Sequence, residues 1–138
     1  MARSLLTVFL CLIGVLAVIV YLGLAREQNF QALVTSGDQA FNRKQTSLAI
    51  ESYSGALALN PKSMVAYLKR GETYLEDGDL SAAFRDLSIA IELNPDETRT
   101  HERLGDVTYA LGRYREASTH YSHYVELDDQ TPQVLYKL

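Results

Sequence analysis

A chain of 138 residues has room for one ordinary domain, or for a membrane segment and a small domain, but not for two large ones. Its 13 Lys and Arg against 17 Asp and Glu leave a net charge of −4, which excludes the basic face that sequence-independent binding of nucleic acid requires. The single cysteine, Cys11, excludes an intramolecular disulfide and a cysteine-based zinc site.

In chain order, residues 1–3 form a short tail and Ser4 to Ala25 are 22 uncharged residues, mostly Leu, Val and Ile, between Arg3 and Arg26. As a helix this stretch would be about 33 Å long, enough to cross a bilayer, so a retained single-pass anchor is expected over 4–25. The alternative is a cleaved signal peptide, because Gly23-Leu24-Ala25 resembles a small-x-small cleavage site. Against it, the apolar region exceeds the roughly 7 to 15 residues usual for such peptides. Arg3 and the α-amino group outweigh Arg26, which Glu27 follows at once. The short end is therefore expected in the cytoplasm and the remaining chain across the membrane. No Gly-x-x-x-Gly seam marks a transmembrane dimer.

Beyond the anchor the chain repeats itself every 34 residues. At that period Gly37, Gly71 and Gly105 align, as do Ala49, Ala83 and Ala117, then Leu59, Leu93 and Leu127, and then Pro61 and Pro95, with Asp129 in the third place. Each unit reads as two antiparallel helices, about 63–76 and 80–92 in the middle copy, split by the turn formers Glu76-Asp77-Gly78-Asp79. Small side chains at Gly71 and Ala83 let the two backbones approach, and Tyr67, Tyr74 and Leu87 are expected to fill the space around them. Pro95 cannot continue the preceding helix, because it lacks the amide donor and biases Asn94 away from helical geometry.

The interval and the columns resemble the tetratricopeptide repeat. The middle copy carries the pattern as Tyr67, Arg70-Gly71, Tyr74, Ala83, Leu87 and Pro95. The first reads Leu33, Ser36-Gly37, Ala40, Ala49, Tyr53 and Pro61, and the third His101, Leu104-Gly105, Thr108, Ala117, Tyr121 and Asp129. The departures are Lys44, where Gly78 and Gly112 supply a turn glycine, and Tyr124, where Ala56 and Ala90 are small. The resemblance implies an all-α, right-handed superhelical solenoid of three helical hairpins over 26–131, with units 30–63, 64–97 and 98–131. Residues 132–138 read as the start of a fourth repeat or a truncated cap.

Chemistry is conspicuously sparse. His101, His120 and His123 lack the Cys or carboxylate partners of a four-ligand set, so His120 and His123 read as polar residues on an outer helix face. No Gly-x-Ser-x-Gly elbow or phosphate-cradling loop is present. The expectation is a binding module, not an enzyme, with no catalytic residue, no metal, no cofactor and no small-molecule substrate.

In the family the first helix of each hairpin lines a concave groove. Carried over, the resemblance implies that Val34, Asp38 and Phe41, then Leu68, Glu72, Leu75 and Glu76, then Arg99, Glu102, Asp106 and Tyr109 contact a protein or peptide partner. Asp38, Glu72 and Asp106 stand 34 apart and would form a carboxylate row, favouring basic or apolar segments. One branch of the family grips a chaperone's C-terminal carboxylate. Arg99 and Arg103 match its later cations, with Lys69 nearby, whereas Val34 and Asp38 replace its first Lys and Asn. The expected function is a membrane-anchored interaction scaffold. The alternatives are a chaperone-docking or import-receptor module facing the cytosol, and the N-terminal assembly domain of a larger enzyme or signalling protein.

Overall fold

The computed structural model describes residues 2–127, with side chains from residue 9 onward. It consists of six helices: α1 (Ala2–Asn42), α2 (Thr46–Leu59), α3 (Met64–Asp77), α4 (Leu80–Leu93), α5 (Thr98–Ala110) and α6 (Tyr114–Leu127). The last part of α1 packs on α2, α3 on α4 and α5 on α6, and each hairpin stacks on the next through α2 with α3 and α4 with α5. This is a solenoid of three hairpins, as the 34-residue period predicts. Asp129 and the expected fourth repeat at 132–138 lie outside the described residues.

The column residues define the hairpin crossings. Ala49, Ala83 and Ala117 are at most 1% exposed. A Cβ on Gly71 would lie 2.8 Å from Leu87 Cγ, and one on Gly37 or Gly105 would overlap the ring of Tyr53 or Tyr121. So in every copy the glycine is the seat of the large residue sixteen positions on. Leu68, Leu87, Ala90, Leu104 and Val107 form the central core, and Phe30, Val34, Ala56, Leu57 and Ala66 the core between the first two hairpins.

Turn chemistry repeats with the same register. Asn60 and Asn94 each return their backbone N–H to the closing turn of the preceding helix, at Ala56 O (2.8 Å) and Ala90 O (3.0 Å). Each side-chain amide oxygen then accepts the N–H two residues on, at 3.3 Å, bridging over the intervening proline. Ser63 and Asp79 cap α3 and α4 by accepting from Ala66 N and Ala82 N. Gly78 (φ 86) and Gly112 (φ 74) turn the chain within their hairpins. Lys44 occupies the same place with φ 60, so the first turn keeps its geometry without a glycine, at some strain.

The expected boundary after Ala25 corresponds to no break in the backbone. α1 runs through it as one helix of 41 residues. Arg26 Nε donates to Leu59 O at 2.8 Å and its Nη2 to the same carbonyl, tying α1 to the end of α2 at that level. Before Ala25 the large apolar side chains from Phe9 to Leu24 are exposed on all sides of the helix.

Candidate functional site

Because α1, α3 and α5 run side by side along one face, residues of like register meet there. A hollow of about 230 Å³ opens on this face, lined by Asp38, Phe41, Asn42, Tyr53, Lys69, Glu72 and Arg99. Asp38, Glu72, Phe41 and Arg99 are thus brought together as expected from their positions. Val34 and Leu68 are not on the open surface: at 8% and 7% exposed they belong to the core between hairpins. Leu75 is half-buried against the central core. Glu76 is exposed and paired with Lys44 at 2.9 Å. Tyr109 is 56% exposed and meets Tyr114 edge to face.

The carboxylate row exists in position but not as open charge. Asp38 Oδ1 accepts from Lys69 Nζ and from the Tyr53 hydroxyl, both at 2.7 Å. Glu72, only 6% exposed, accepts from Arg99 Nε at 2.6 Å, Arg99 Nη2 at 2.8 Å and Arg103 Nε at 3.0 Å. Asp106 accepts from the Tyr121 hydroxyl at 2.9 Å and from Arg103 Nη1 at 3.3 Å. Glu102 lies 3.9 Å from Arg103. The groove floor is therefore a ladder of ion pairs in which Asp38, Glu72, Glu102 and Asp106 share Lys69, Arg99 and Arg103, so the expected acidic row is present but largely paired.

Two offsets build this ladder. Lys69 and Arg103 stand 34 apart, and each reaches the acid 31 residues before it, Asp38 and Glu72. Tyr53 and Tyr121 each reach the acid 15 residues before, passing over the seat glycine. Between them Leu87 offers no hydroxyl, and Arg99 takes up the second role at Glu72. Sequence reasoning missed Tyr53 and Tyr121; the repeated spacing of 15 was the available signal.

Electrostatics follow from these contacts. Burial alone would pull Arg103 down, but its hydrogen bond to Glu72 and the charges of Glu102, Glu72 and Asp106 offset that and hold its pKa above the ordinary guanidinium value. Burial first, and the hydrogen bond to Asp38 next, push the Tyr53 phenol far above its usual value; Tyr121 is raised by burial and by Asp106. Both phenols stay protonated and remain donors. Among the described residues no cluster could hold a metal ion.

A statistical model of the tetratricopeptide repeat matches residues 34–97 and 68–134, most of the chain. The chain belongs to the tetratricopeptide repeat family. Over 98 residues it is 33% identical to the small glutamine-rich tetratricopeptide repeat-containing protein 2 of Mycosarcoma maydis. That alignment takes in 71% of this chain but only 28% of that relative, so the chain spans less than a third of the relative's length. In fold it is similar to the Arabidopsis OM64 TPR domain, with a TM-score of 0.78 at 23% identity, over 81% of this chain and 93% of that one. It superposes equally on the first TPR domain of Spaghetti (RPAP3) bound to the HSP90 peptide SRMEEVD, with a TM-score of 0.78 at 24% identity, over 80% and 88% of the two chains. The tetratricopeptide repeat is a protein-interaction module, and this chain is one.

Proposed function

We propose that the concave face docks an extended, acidic C-terminal segment of a chaperone; the similar Spaghetti (RPAP3) domain is bound to the HSP90 peptide SRMEEVD. The supporting observation is the convergence of Lys69, Arg99 and Arg103 on one face, with Arg99 55% exposed at the rim of the hollow. A ligand carboxylate would be bound by exchange, taking over part of the coordination that Asp38 and Glu72 now provide. Phe41 at one end and the Tyr109–Tyr114 pair at the other would supply apolar contact. This reading departs from the expected preference for basic or apolar segments, because Lys69, Arg99 and Arg103 offset most of the negative charge of the row.

Calorimetric titration of the full chain in detergent micelles with the peptide SRMEEVD tests it. Binding should weaken about tenfold when the peptide's C-terminus is amidated, and again in Lys69→Ala and Arg99→Ala, a tenfold change being about 1.4 kcal/mol. Equal binding of free and amidated peptides would remove the terminal carboxylate from the interaction.

A second reading is carried by α1: residues 4–25 cross a bilayer once and carry the repeats at its surface. The support is an exposed apolar helix of sufficient length. Resistance to carbonate extraction checks it, and a mature N-terminus at Arg26 would overturn it. The flanking charges favour the repeats outside the cytoplasm, whereas docking of a cytosolic chaperone needs them inside. Protease protection in sealed vesicles decides between the two.

A further inference from the structure

The third hairpin differs from the other two at three facing positions. Where the first hairpin has Leu33, Ser52 and Gly55, and the second Tyr67, Asp86 and Ile89, the third has His101, His120 and His123. The ring of His101, on α5, lies 5.8 Å from that of His120 and 5.1 Å from that of His123, both on α6. A histidine cluster thus stands in the interface by which the last described helix docks.

The hydrogen bonds fix the protonation this packing requires. His101 Nε2 is 2.9 Å from the Pro95 carbonyl oxygen, which can only accept, so Nε2 carries the proton and donates. The remaining nitrogen, Nδ1, is buried with no partner, and so is Nδ1 of His120. A second proton on either ring would enter a buried site that has no acceptor, beside another imidazole. The interface is therefore built for neutral rings.

We propose that His101 and His120, whose Nδ1 atoms are buried without partners, form a proton-operated latch that undocks α6 from α5 as the surroundings acidify from neutral pH towards about 5.5. None of the described groups facing the cluster accepts from His101 Nδ1 or His120 Nδ1, although Glu126 pairs with His123 and Glu116 partly offsets charge on His120. From the α4–α5 turn the Pro95 carbonyl meets His101, and Glu97 precedes His101 by one turn on α5. On α6, Glu116 is near His120, and Glu126 Oε2 is 3.7 Å from His123 Nδ1 at the exposed edge. Burial first, then the neighbouring His101, depress the His120 pKa, with His123 adding to the effect and Glu116 opposing it. A depressed value in the folded state means that the stabilisation is present above the unfolded value, about 6.5, and is lost as pH falls below it. Opening would break the bond from Tyr121 to Asp106 and unsettle Arg103 at the same carboxylate, so the groove would loosen at that end in acid.

Hydrogen exchange of the full chain in detergent micelles tests the latch. At pH 7.5 and 5.5, after correction for intrinsic exchange, protection over 114–127 should fall at least tenfold while that over 80–93 holds. Each extra proton taken up on opening shifts the equilibrium by up to tenfold per pH unit. The combination His101→Tyr, His120→Ser and His123→Ile should abolish the difference. His120→Ser alone, which introduces the residue that the first hairpin holds at this place, should reduce it even if the combination fails to fold. Equal loss over both helices, or an undiminished response in His120→Ser, would overturn the proposal.

Discussion

The Tyr53 hydroxyl donates to Asp38 Oδ1 at 2.7 Å, and 68 residues later Tyr121 repeats the bond to Asp106 at 2.9 Å. In the first and third hairpins a tyrosine of the second helix thereby reaches over the glycine of the first helix and fixes a groove acid from behind. Tyr53→Phe keeps the ring on Gly37 and deletes only this bond. The loss should be about 1 to 2 kcal/mol by urea unfolding, below the full value for a charged acceptor because Asp38 is partly wet. The two phenols also give an alkaline signature. Their folded values are raised, so the stabilisation they provide is present below about pH 10 and lost as pH rises above it. The melting temperature should fall beyond pH 10 in the native sequence and fall less in a Tyr53→Phe, Tyr121→Phe double variant.

Gly71 and Gly112 distinguish space from backbone conformation. Gly71→Leu must displace Leu87 and should cost about 3 kcal/mol or more. Gly112 faces open space but has φ 74, so Gly112→Leu should cost only about 1 to 2 kcal/mol from backbone strain. Thermal unfolding ranks the two, and equal losses would contradict the crossing described above.

Lys44 extends that argument in the opposite direction. Its φ of 60 strains a non-glycine residue, and its partner Glu76 lies on the exposed surface. Lys44→Gly should therefore raise stability by up to about 1 kcal/mol, the relief of strain exceeding the loss of an exposed ion pair. A lower melting temperature would show that the Glu76 contact dominates.

Asp86 is fully buried and held by Arg70 at 2.6 and 3.1 Å. Arg70→Met leaves that carboxylate with Arg85, itself mostly exposed, and should cost about 3 to 5 kcal/mol. The first hairpin holds Ser36 and Ser52 at the matching positions, 3.3 Å apart. Adding Asp86→Ser to Arg70→Ser should thus recover much of the loss, a coupling that a double-mutant cycle measures.

The combination Asp38→Asn, Glu72→Gln and Asp106→Asn unpairs Lys69 and Arg99 and leaves Arg103 with Glu102 alone. The groove becomes cationic, so an acidic peptide should associate about tenfold faster at low salt, with a steeper salt dependence. Stopped-flow association rates over a salt series check this; an unchanged rate would place the peptide elsewhere.

Helices and their crossings were legible because they are local and periodic: Gly37, Ala49 and Pro61 recur at the same interval as the backbone that needs them. The charge pattern of the groove was harder to read. Asp38, Glu72 and Asp106 fall on one column and look like a row, but their partners sit at offsets of 15, 27 and 31 residues, set by how hairpins stack. Arg99 shares its column with Val65 and Gln31, so no repetition marked it. Val34 and Leu68 were assigned to the groove by register, yet hairpin stacking buries them. Burial between repeats depends on neighbouring side chains, which periodicity alone does not report.

Because α1 is a single rod from the apolar segment into the first repeat, the compass bearing of the groove is set by counting. One residue inserted after Gln28 would turn the repeats by about 100° about the rod and shift them by about 1.5 Å along it. Seven inserted residues would return the bearing to within about 20° while moving the repeats about 10 Å away from the apolar end. Reach and heading can thus be varied separately by the length of the segment between Ala25 and Phe30, giving up the bond from Arg26 to Leu59 O but leaving the contacts from Phe30 onward as they are.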